Sequence, residues 1–383
     1  MQPIKVMHII TGLGTGGAEA MLYKLLNQQG ADNRVDNIVV SLTPGGKHHA
    51  MLEEKGIRVI TLNVKKVWLL PVYLWRLLSA IKQEKIQIIN AWMYHAMLFA
   101  CLLSLFSLTR GPRLLWNVRH SLQNLNQEKP SIRLIIRLLG LLLVLPERVV
   151  FNSQKSALEH QKYWNMKDKA QFIANGFELS TWLPKRELAD TTQDPLRALL
   201  NIEQGRIIGN VGRAHPMKNQ LGLIKHFLAL ADKYPNAHLV VIGKGTDALP
   251  IPDIPGKSRI HLLGERNDVN VLMPFFDYFV LSSNWGEGFP NVLGEAMACE
   301  LVCLTNDVGD SGYLLNDADW IVPPYQDKAL ESKLGELLDL DAAQCSVLGK
   351  THRQRMQEHF SIEAISEQYL DLYHSLCSLN LQS

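Results

Sequence analysis

Short runs of apolar and β-branched residues alternate along this chain with longer stretches whose apolar positions recur every three or four residues. The short runs predict buried strands and the longer stretches predict amphipathic helices. In the first half, strands are predicted over 4–11, 37–42, 58–63, 87–92, 114–120, 148–152 and 171–174. In the second half they are predicted over 206–212, 238–243, 259–263, 278–282, 301–305 and 320–322. Strands apolar on both faces and separated by helices belong to parallel sheets covered on either side. Two such series in succession predict an α/β chain of two Rossmann-like, doubly wound domains. The turn signal Asn175-Gly176, followed by Pro184, Asp194 and Pro195, marks 176–204 as the junction. The domains are accordingly drawn as 1–178 and 179–360. The run 361–376 reads as a last helix, with Ser361 a candidate N-cap. The most apolar stretch, 134–145, is broken by Arg137 and falls short of the ~20 residues that span a bilayer, so it reads as a buried helix.

Composition narrows the class. The 383 residues are 47% hydrophobic and 20% charged, enough for two proper cores. A net charge of +2 gives no reason to expect nucleic acid as a partner. The five cysteines, Cys101, Cys299, Cys303, Cys345 and Cys377, are odd in number and match no disulfide framework. They read as small core residues in a reducing cytoplasm. The first residues enter a strand almost at once, without the apolar stretch of a signal peptide. His48-His49, beside Gly45-Gly46, read as a flexible loop, and no D-x-D or H-x3-H pattern offers a metal site. No metal and no cofactor are therefore expected.

The candidate chemistry concentrates in three loops. Gly286-Glu287-Gly288-Phe289-Pro290-Asn291-Val292-Leu293-Gly294-Glu295-Ala296 carries two carboxylates eight positions apart. Pro290 suits a first helical position, so Glu287 lies in a glycine-flanked loop and Glu295 within a helix. A helix N-terminus between two acids offers free N–H groups, here of Asn291 and Val292, to a phosphate. The acids can then hold hydroxyls on either side, and a sugar nucleotide has that shape. A second loop, Thr11-Gly12-Leu13-Gly14-Thr15-Gly16-Gly17-Ala18-Glu19, follows the first predicted strand. It satisfies G-x-G-x-x-G, but the second strand ends Val40-Ser41-Leu42-Thr43, without the acid that would hold a dinucleotide ribose. The third, Asn210 to Gln220, sets Arg213 and Lys218 five apart at the end of a strand. Two fixed cations there can stabilise a departing diphosphate without a metal, or can be no more than solvated surface charges.

The string E-G-F-P-N-V-L-G-E-A, with Glu287 and Glu295, resembles the signature of the retaining glycosyltransferases of family 4, which have the GT-B fold. Gly-Gly-Ala-Glu at 16–19 and Gly212-Arg213 with Lys218 resemble further elements of that family. The resemblance implies two Rossmann-like domains facing an interdomain cleft, with the helix 361–383 packing back on the N-terminal, acceptor-binding domain. It implies a metal-independent, retaining transfer of a hexosyl or N-acetylhexosaminyl group from a nucleotide sugar, commonly linked to UDP. The acceptor would be a glycan or a lipid-linked sugar, in surface polysaccharide or glycoconjugate biosynthesis. It assigns Glu287, with Gly288 and Phe289, to the donor sugar and Glu295 to the ribose. Arg213, Lys218, Gly14, Gly16, Asn291 and Val292 go to the diphosphate. His120, at the end of the predicted strand 114–120, would contact the transferred sugar; a hydrogen-bonded structural histidine remains the alternative. His95 and Arg119 are candidates for the acceptor, with a structural histidine and a surface ion pair as their alternatives. Arg266 and Asp268 are weaker candidates for the base.

Val64-Lys65-Lys66-Val67-Trp68 to Trp75-Arg76 mixes cations and rings, with Lys82, Lys85, Arg110 and Arg113 nearby. This is the chemistry of a segment lying on an anionic membrane surface, as on the inner face of the cytoplasmic membrane. An amphipathic helix with its aromatics in the core is the other reading. Two further functions stay open: an epimerase on the same fold, which would release sugar without an acceptor, and a non-catalytic nucleotide-sugar binder. A phosphorylase would need a pyridoxal lysine and a much longer chain.

Overall fold

The computed structural model describes residues 2–64, 67–106, 111–122, 125–188 and 194–378. Lys65, Lys66 and Arg110, three of the cations read as membrane-facing, lie outside these residues, as does the end of the predicted last helix beyond 378. The chain forms two compact units, Met1–Gly176 with Ile362–Ser383, and Phe177–Ser361.

The first unit contains β1 (Ile4–Ile10), β2 (Val35–Ser41), β3 (Arg58–Thr61), β4 (Ile88–Trp92), β5 (Arg113–Val118), β6 (Arg148–Phe151) and β7 (Ala170–Phe172). Its helices are α1 (Gly17–Gln29), α2 (Lys47–Glu54), α3 (Leu70–Glu84), α4 (Met93–Phe106), α5 (Pro130–Leu141), α6 (Gln154–Gln161) and, from the far end of the chain, the last helix (Ile362–Ser378). The strands are all parallel, in the order β3-β2-β1-β4-β5-β6-β7. Right-handed crossovers put α1 and α2 on one face and α3, α4 and α5 on the other. The last helix packs beside α1. Gly176 makes room for it, since a Cβ there would lie 2.6 Å from Ile362 Cδ1. The core on the α3–α5 face is built from Met7, Ile9, Val40, Ala91, Trp116, Phe151 and Trp164 among others. Each large side chain so buried contributes about 1.5–3 kcal/mol.

The second unit contains β8 (Arg206–Val211), β9 (Ala237–Ile242), β10 (Ile260–Leu262), β11 (Tyr278–Leu281), β12 (Val302–Asn306) and β13 (Ile321–Val322). Its helices are α7 (Pro195–Leu200), α8 (Gln220–Leu230), α9 (Val269–Leu272), α10 (Asn291–Ala298), α11 (Ser311–Leu315), α12 (Asp327–Asp339) and α13 (Ala342–Arg355), so the last helix of the chain is α14. The sheet, again parallel, runs β10-β9-β8-β11-β12-β13. Its strand order reverses between β8 and β11, as that of the first sheet does between β1 and β4. Crevices at the carboxyl ends of strands beside such a reversal are where open α/β sheets take ligands.

Three expectations are corrected. The stretch 134–145 is not a buried helix: α5 buries Ile136 and Leu139 and exposes Leu134, Leu138 and Leu141. Of the aromatics ahead of and within α3, Trp68 and Trp75 are not in the core, being 75% and 71% exposed, while Tyr73 packs against it. His48 and His49 open α2 rather than a flexible loop, and His48 is buried. Cys101, Cys299 and Cys303 are buried, and all five thiols are free. Among the described residues no helix is long and apolar enough to cross a membrane.

Candidate functional site

In the second unit, the loop after β8 and the loop after β11 converge. Lys218 Nζ donates to Glu287 Oε1 at 2.6 Å, and Ser283 Oγ donates to the same oxygen at 2.6 Å. Glu287 is 8% exposed. Its other carboxylate oxygen has no hydrogen bond among the described residues, so one acceptor faces outward from a cluster that is otherwise fixed. Several backbone contacts hold this geometry. Ser282 Oγ donates to the Lys218 carbonyl at 2.8 Å, and Asn284 N to that of Met217 at 2.8 Å. Asn306 Nδ2, at the end of β12, donates to Ser282 O at 3.0 Å. Gly309, at φ +64, lies so close beneath the loop that a Cβ would collide with the carbonyl oxygens of Glu287 and Gly288. Asp310 N donates to Gly288 O at 2.8 Å.

α10 begins at Asn291, with Pro290 as its N-cap rather than its first helical residue. Pro290 makes no side-chain cap bond at the end of the Glu287 loop, and its carbonyl accepts from Leu293 N at 3.1 Å. Glu295 lies one turn on, half-buried. Phe289 turns inward against Phe177 and Phe360, leaving only its backbone for a ligand. Arg213 is exposed and its guanidinium makes no hydrogen bond or ion pair among the described residues. Gln220 Nε2 pins the loop by donating to the carbonyls of Gly212 and Arg213. The structure thus brings Lys218 and Glu287 into contact, which spacing alone did not foretell. Arg266 and Asp268 instead form a bidentate pair with each other, at 2.8 and 2.6 Å.

In the first unit, Gly14 and Gly16 lie in the loop between β1 and α1, and Gly16 is the N-cap of α1. The loop has a brace that the sequence reading missed. His48 N donates to Leu13 O at 2.9 Å, and His48 Nδ1 meets the Gly14 carbonyl. Gly46, at φ +112, permits that approach, since a Cβ would strike the Leu13 carbonyl. The carboxylate of Glu19 lies where a Gly16 side chain would stand, at the positive end of α1. The hint in the sequence was His48 two residues after a glycine pair.

β5 ends at Val118, so Arg119 and His120 stand in the following loop rather than closing the strand. His120 Nε2 pairs with Glu128 Oε1 at 2.8 Å, and the edge of the Tyr94 ring packs on it. Ser156 Oγ donates to the His120 carbonyl at 2.6 Å. Tyr94 is itself held by its hydroxyl, which donates to His160 Nε2 at 2.7 Å, while His160 Nδ1 donates to Ser156 O at 2.7 Å. Burial lowers the His160 pKa to about 4, in keeping with this neutral tautomer. His95 is exposed on the first turn of α4. β4 passes into α4 without a loop, and Met93 takes up the turn at φ +71. Arg119 is neither free nor a surface ion pair. It stacks on Trp92 at 4.9 Å and donates to Asn117 at 2.8 Å, to Asn175 and to the Tyr369 hydroxyl of α14. Each nitrogen of its guanidinium makes one of these bonds within the unit, which uses three of its five N–H donors.

Beneath these loops His8 is fully buried. Its Nε2 donates to Asn37 Oδ1 at 3.0 Å and its Nδ1 accepts from Trp92 Nε1 at 3.2 Å. Asn37 is oriented by donating to Gln29 Oε1. Burial lowers the His8 pKa to about 4, and a proton on Nδ1 would face the indole N–H. Among the described residues, no three of His, Cys, Asp and Glu converge as a metal site.

Two family models match the chain: Glycosyltransferase Family 4 over residues 15–181, and Glycosyl transferases group 1 over 193–357. An uncharacterized glycosyltransferase of Methanocaldococcus jannaschii is 27% identical over 191 residues, 47% of this chain and 45% of that protein. The UDP-Gal:alpha-D-GlcNAc-diphosphoundecaprenol alpha-1,3-galactosyltransferase of Escherichia coli is 27% identical over 220 residues, 54% of each. The chain therefore spans about half the length of these curated relatives. Among solved structures, Anabaena HepE in complex with UDP superposes with a TM-score of 0.78 at 18% identity, over 97% of this chain and 100% of that one. At that identity the likeness shows the fold.

Proposed function

The chain belongs to the family 4 glycosyltransferases of GT-B fold, and from that premise we propose that it moves a sugar from a UDP-sugar to a hydroxyl of a glycan or lipid-linked sugar, with retention at the anomeric carbon. The observation that carries the reading is the Lys218–Glu287–Ser283 cluster at the strand-order reversal of the second sheet, beside the N-terminus of α10. A lysine ammonium has three donors, and Glu287 takes one of them, so Lys218 can hold a phosphate oxygen without releasing the carboxylate. Arg213, exposed and unengaged, supplies the second cation, and the N–H groups of Asn291 and Val292 complete the diphosphate site. The outward oxygen of Glu287, with the backbone of Gly288 and Phe289, accepts hydroxyls of the donor sugar. Glu295 takes the ribose.

For the first unit, the proposal gives Gly14 and Gly16 the close approach of backbone to diphosphate. His120, oriented by Glu128, faces the transferred sugar, and His95 serves the acceptor. Arg119 holds α14 and the loop of His120 in place, and its remaining N–H groups are the ones that would serve the acceptor. In the reaction the bond between C1 and the β-phosphate oxygen breaks first. The acceptor hydroxyl attacks C1 from the same face, and its proton passes to the departing phosphate, which Arg213 and Lys218 stabilise. No metal and no covalent nucleophile enter this scheme, as the family resemblance implies. The E. coli relative, whose acceptor is a diphosphoundecaprenol-linked sugar, supports a lipid-linked acceptor and a role in cytoplasmic glycoconjugate assembly.

The test is a thermal-shift screen of nucleoside diphosphates and their sugars, followed by product analysis. A bound donor at about 100 times its Kd should add about 2.7 kcal/mol of stability. UDP-sugars should raise the unfolding midpoint, and Lys218→Ala should abolish the rise. The product should keep the donor's anomeric configuration by NMR. No stabilisation by any nucleotide sugar would remove the reading, and release of free sugar without acceptor would replace it with an epimerase.

A further inference from the structure

The layer of α3, α4 and α5 covers one face of the first sheet, and its own outer side is unusually apolar. On α5, Leu134, Leu138 and Leu141 follow one another at helical spacing along one stripe, and Leu141 and the following Val144 are each 79% exposed. Ile136 and Leu139 already anchor that helix to the core, so the outer stripe is surplus to folding. Trp68, Val72 and Trp75 repeat the spacing at the start of α3. Exposed leucines and tryptophans in such rows are uncommon on a surface that meets only water.

The charge around them has one sign. α3, α4 and α5 together contain a single acidic residue, Glu84, at the far end of α3, where it pairs with Arg58 and Lys5. Arg133 and Arg137 flank the α5 stripe, and Arg76 follows Trp75. Leucines in a row, rings at the margin, cations beside them and one distant, paired acid fit the surface of an anionic lipid bilayer. A second copy of this layer would set arginine against arginine.

We propose that the α3–α5 layer docks on anionic membrane, with the α5 stripe inserted below the headgroups and Arg133 and Arg137 among them. The sequence pointed to 64–76. The structure adds α5, which had read as buried, and makes it the deeper element. Docking does not depend on glycosyl transfer, so it is measured without donor or acceptor.

The full chain is co-sedimented with phosphatidylcholine vesicles, with and without phosphatidylglycerol. It should bind the anionic vesicles at low salt, bind the neutral ones weakly and come off as salt is added. Arg133→Gln with Arg137→Gln should lower binding ~30-fold, at about 1 kcal/mol per cation near the surface. Leu138→Glu with Leu141→Glu should lower it at least ~100-fold, since each leucine withdrawn from the acyl region costs about tenfold or more. Val347→Glu, at an exposed apolar position of α13, should change nothing. All variants should keep the wild-type circular dichroism, because every altered side chain lies at the surface. Binding that ignores the two leucines, or no binding at low salt, would overturn the proposal. So would a lipid-free dimer in sedimentation velocity that Leu138→Glu with Leu141→Glu dissolves, since the face would then belong to a second copy.

Discussion

The loops at the two strand-order reversals hold opposite kinds of polar network. In the second unit Lys218 and Glu287 form an ion pair with capacity left over: two ammonium hydrogens and one carboxylate oxygen. In the first unit the corresponding level is tied into internal bonds. Arg119 has every nitrogen engaged, and His8 has a donor on one side and an acceptor on the other. Such a network rigidifies the loops above it, and its central arginine is already committed to three internal acceptors. Charge at a sheet edge is therefore a poor guide by itself. What distinguishes a ligand site from a structural brace is hydrogen-bonding capacity that the fold leaves unused.

The largest test of that contrast is Glu287→Gln against Arg119→Gln. Losing the Glu287 charge should cut the transfer rate ~100- to 1,000-fold, the scale of removing one preorganised group from a reacting centre. Its unfolding midpoint should fall only modestly, because Lys218 can turn to water. Arg119→Gln should do the reverse, lowering the stability of the first unit with little change in donor affinity. Equal losses of rate in a steady-state assay would erase the distinction.

Acid should act on that internal network next. His8 and His160 are neutral in the fold, with pKa values lowered from 6.5 to about 4. The unfolded chain binds protons below pH 6.5 that the folded chain refuses. The first unit should thus be most stable above pH 6.5, weaken as pH falls towards 4 and level off below it, by up to about 3 kcal/mol per histidine. Hydrogen exchange of the β1 and β6–α6 segments against pH reads this out. Protection unchanged between pH 6.5 and 4 would mean that neither histidine is held neutral. His352 of the second unit is lowered by burial in the same direction, so that unit should show a share of the effect.

The glycine braces offer a matched pair. Gly46→Ala and Gly309→Ala each force a side chain into a left-handed backbone and onto neighbouring carbonyls, at a cost of about 1–3 kcal/mol. Gly309→Ala should also displace Glu287 and weaken nucleotide-sugar binding in a thermal-shift titration. Gly46→Ala should loosen the Gly14 loop, seen as faster exchange of the 12–16 amides, and leave nucleotide affinity closer to wild type. The smallest effect belongs to Glu128→Gln. The His120–Glu128 pair is partly exposed, so the change should lower kcat/KM about threefold and leave the midpoint unmoved.

The strand series was readable because parallel strands covered on both faces must be apolar throughout, and helices must separate them. The predicted run 278–282 and the observed β11 differ by one residue for that reason. Ends were less readable: 114–120 became Arg113–Val118, since Arg119 turns aside to stack on Trp92. The stretch 134–145 misled because it is apolar almost all round. Periodicity cannot orient such a helix, and only packing decides that Ile136 faces in and Leu138 out. His48 was missed because its partner, the Gly14 carbonyl, lies 34 residues away on another loop.

The sequence by itself determined the alternation of strands and helices, the glycine positions and which residue types stand at the strand ends, because these follow from local sterics and from patterns of burial. Tertiary structure alone decided which of those charges meet. Lys218 finds Glu287 across 69 positions and Arg119 finds Tyr369 across 250. A side chain's capacity to bind a ligand is whatever remains after such distant partners are satisfied, and no local pattern records that remainder.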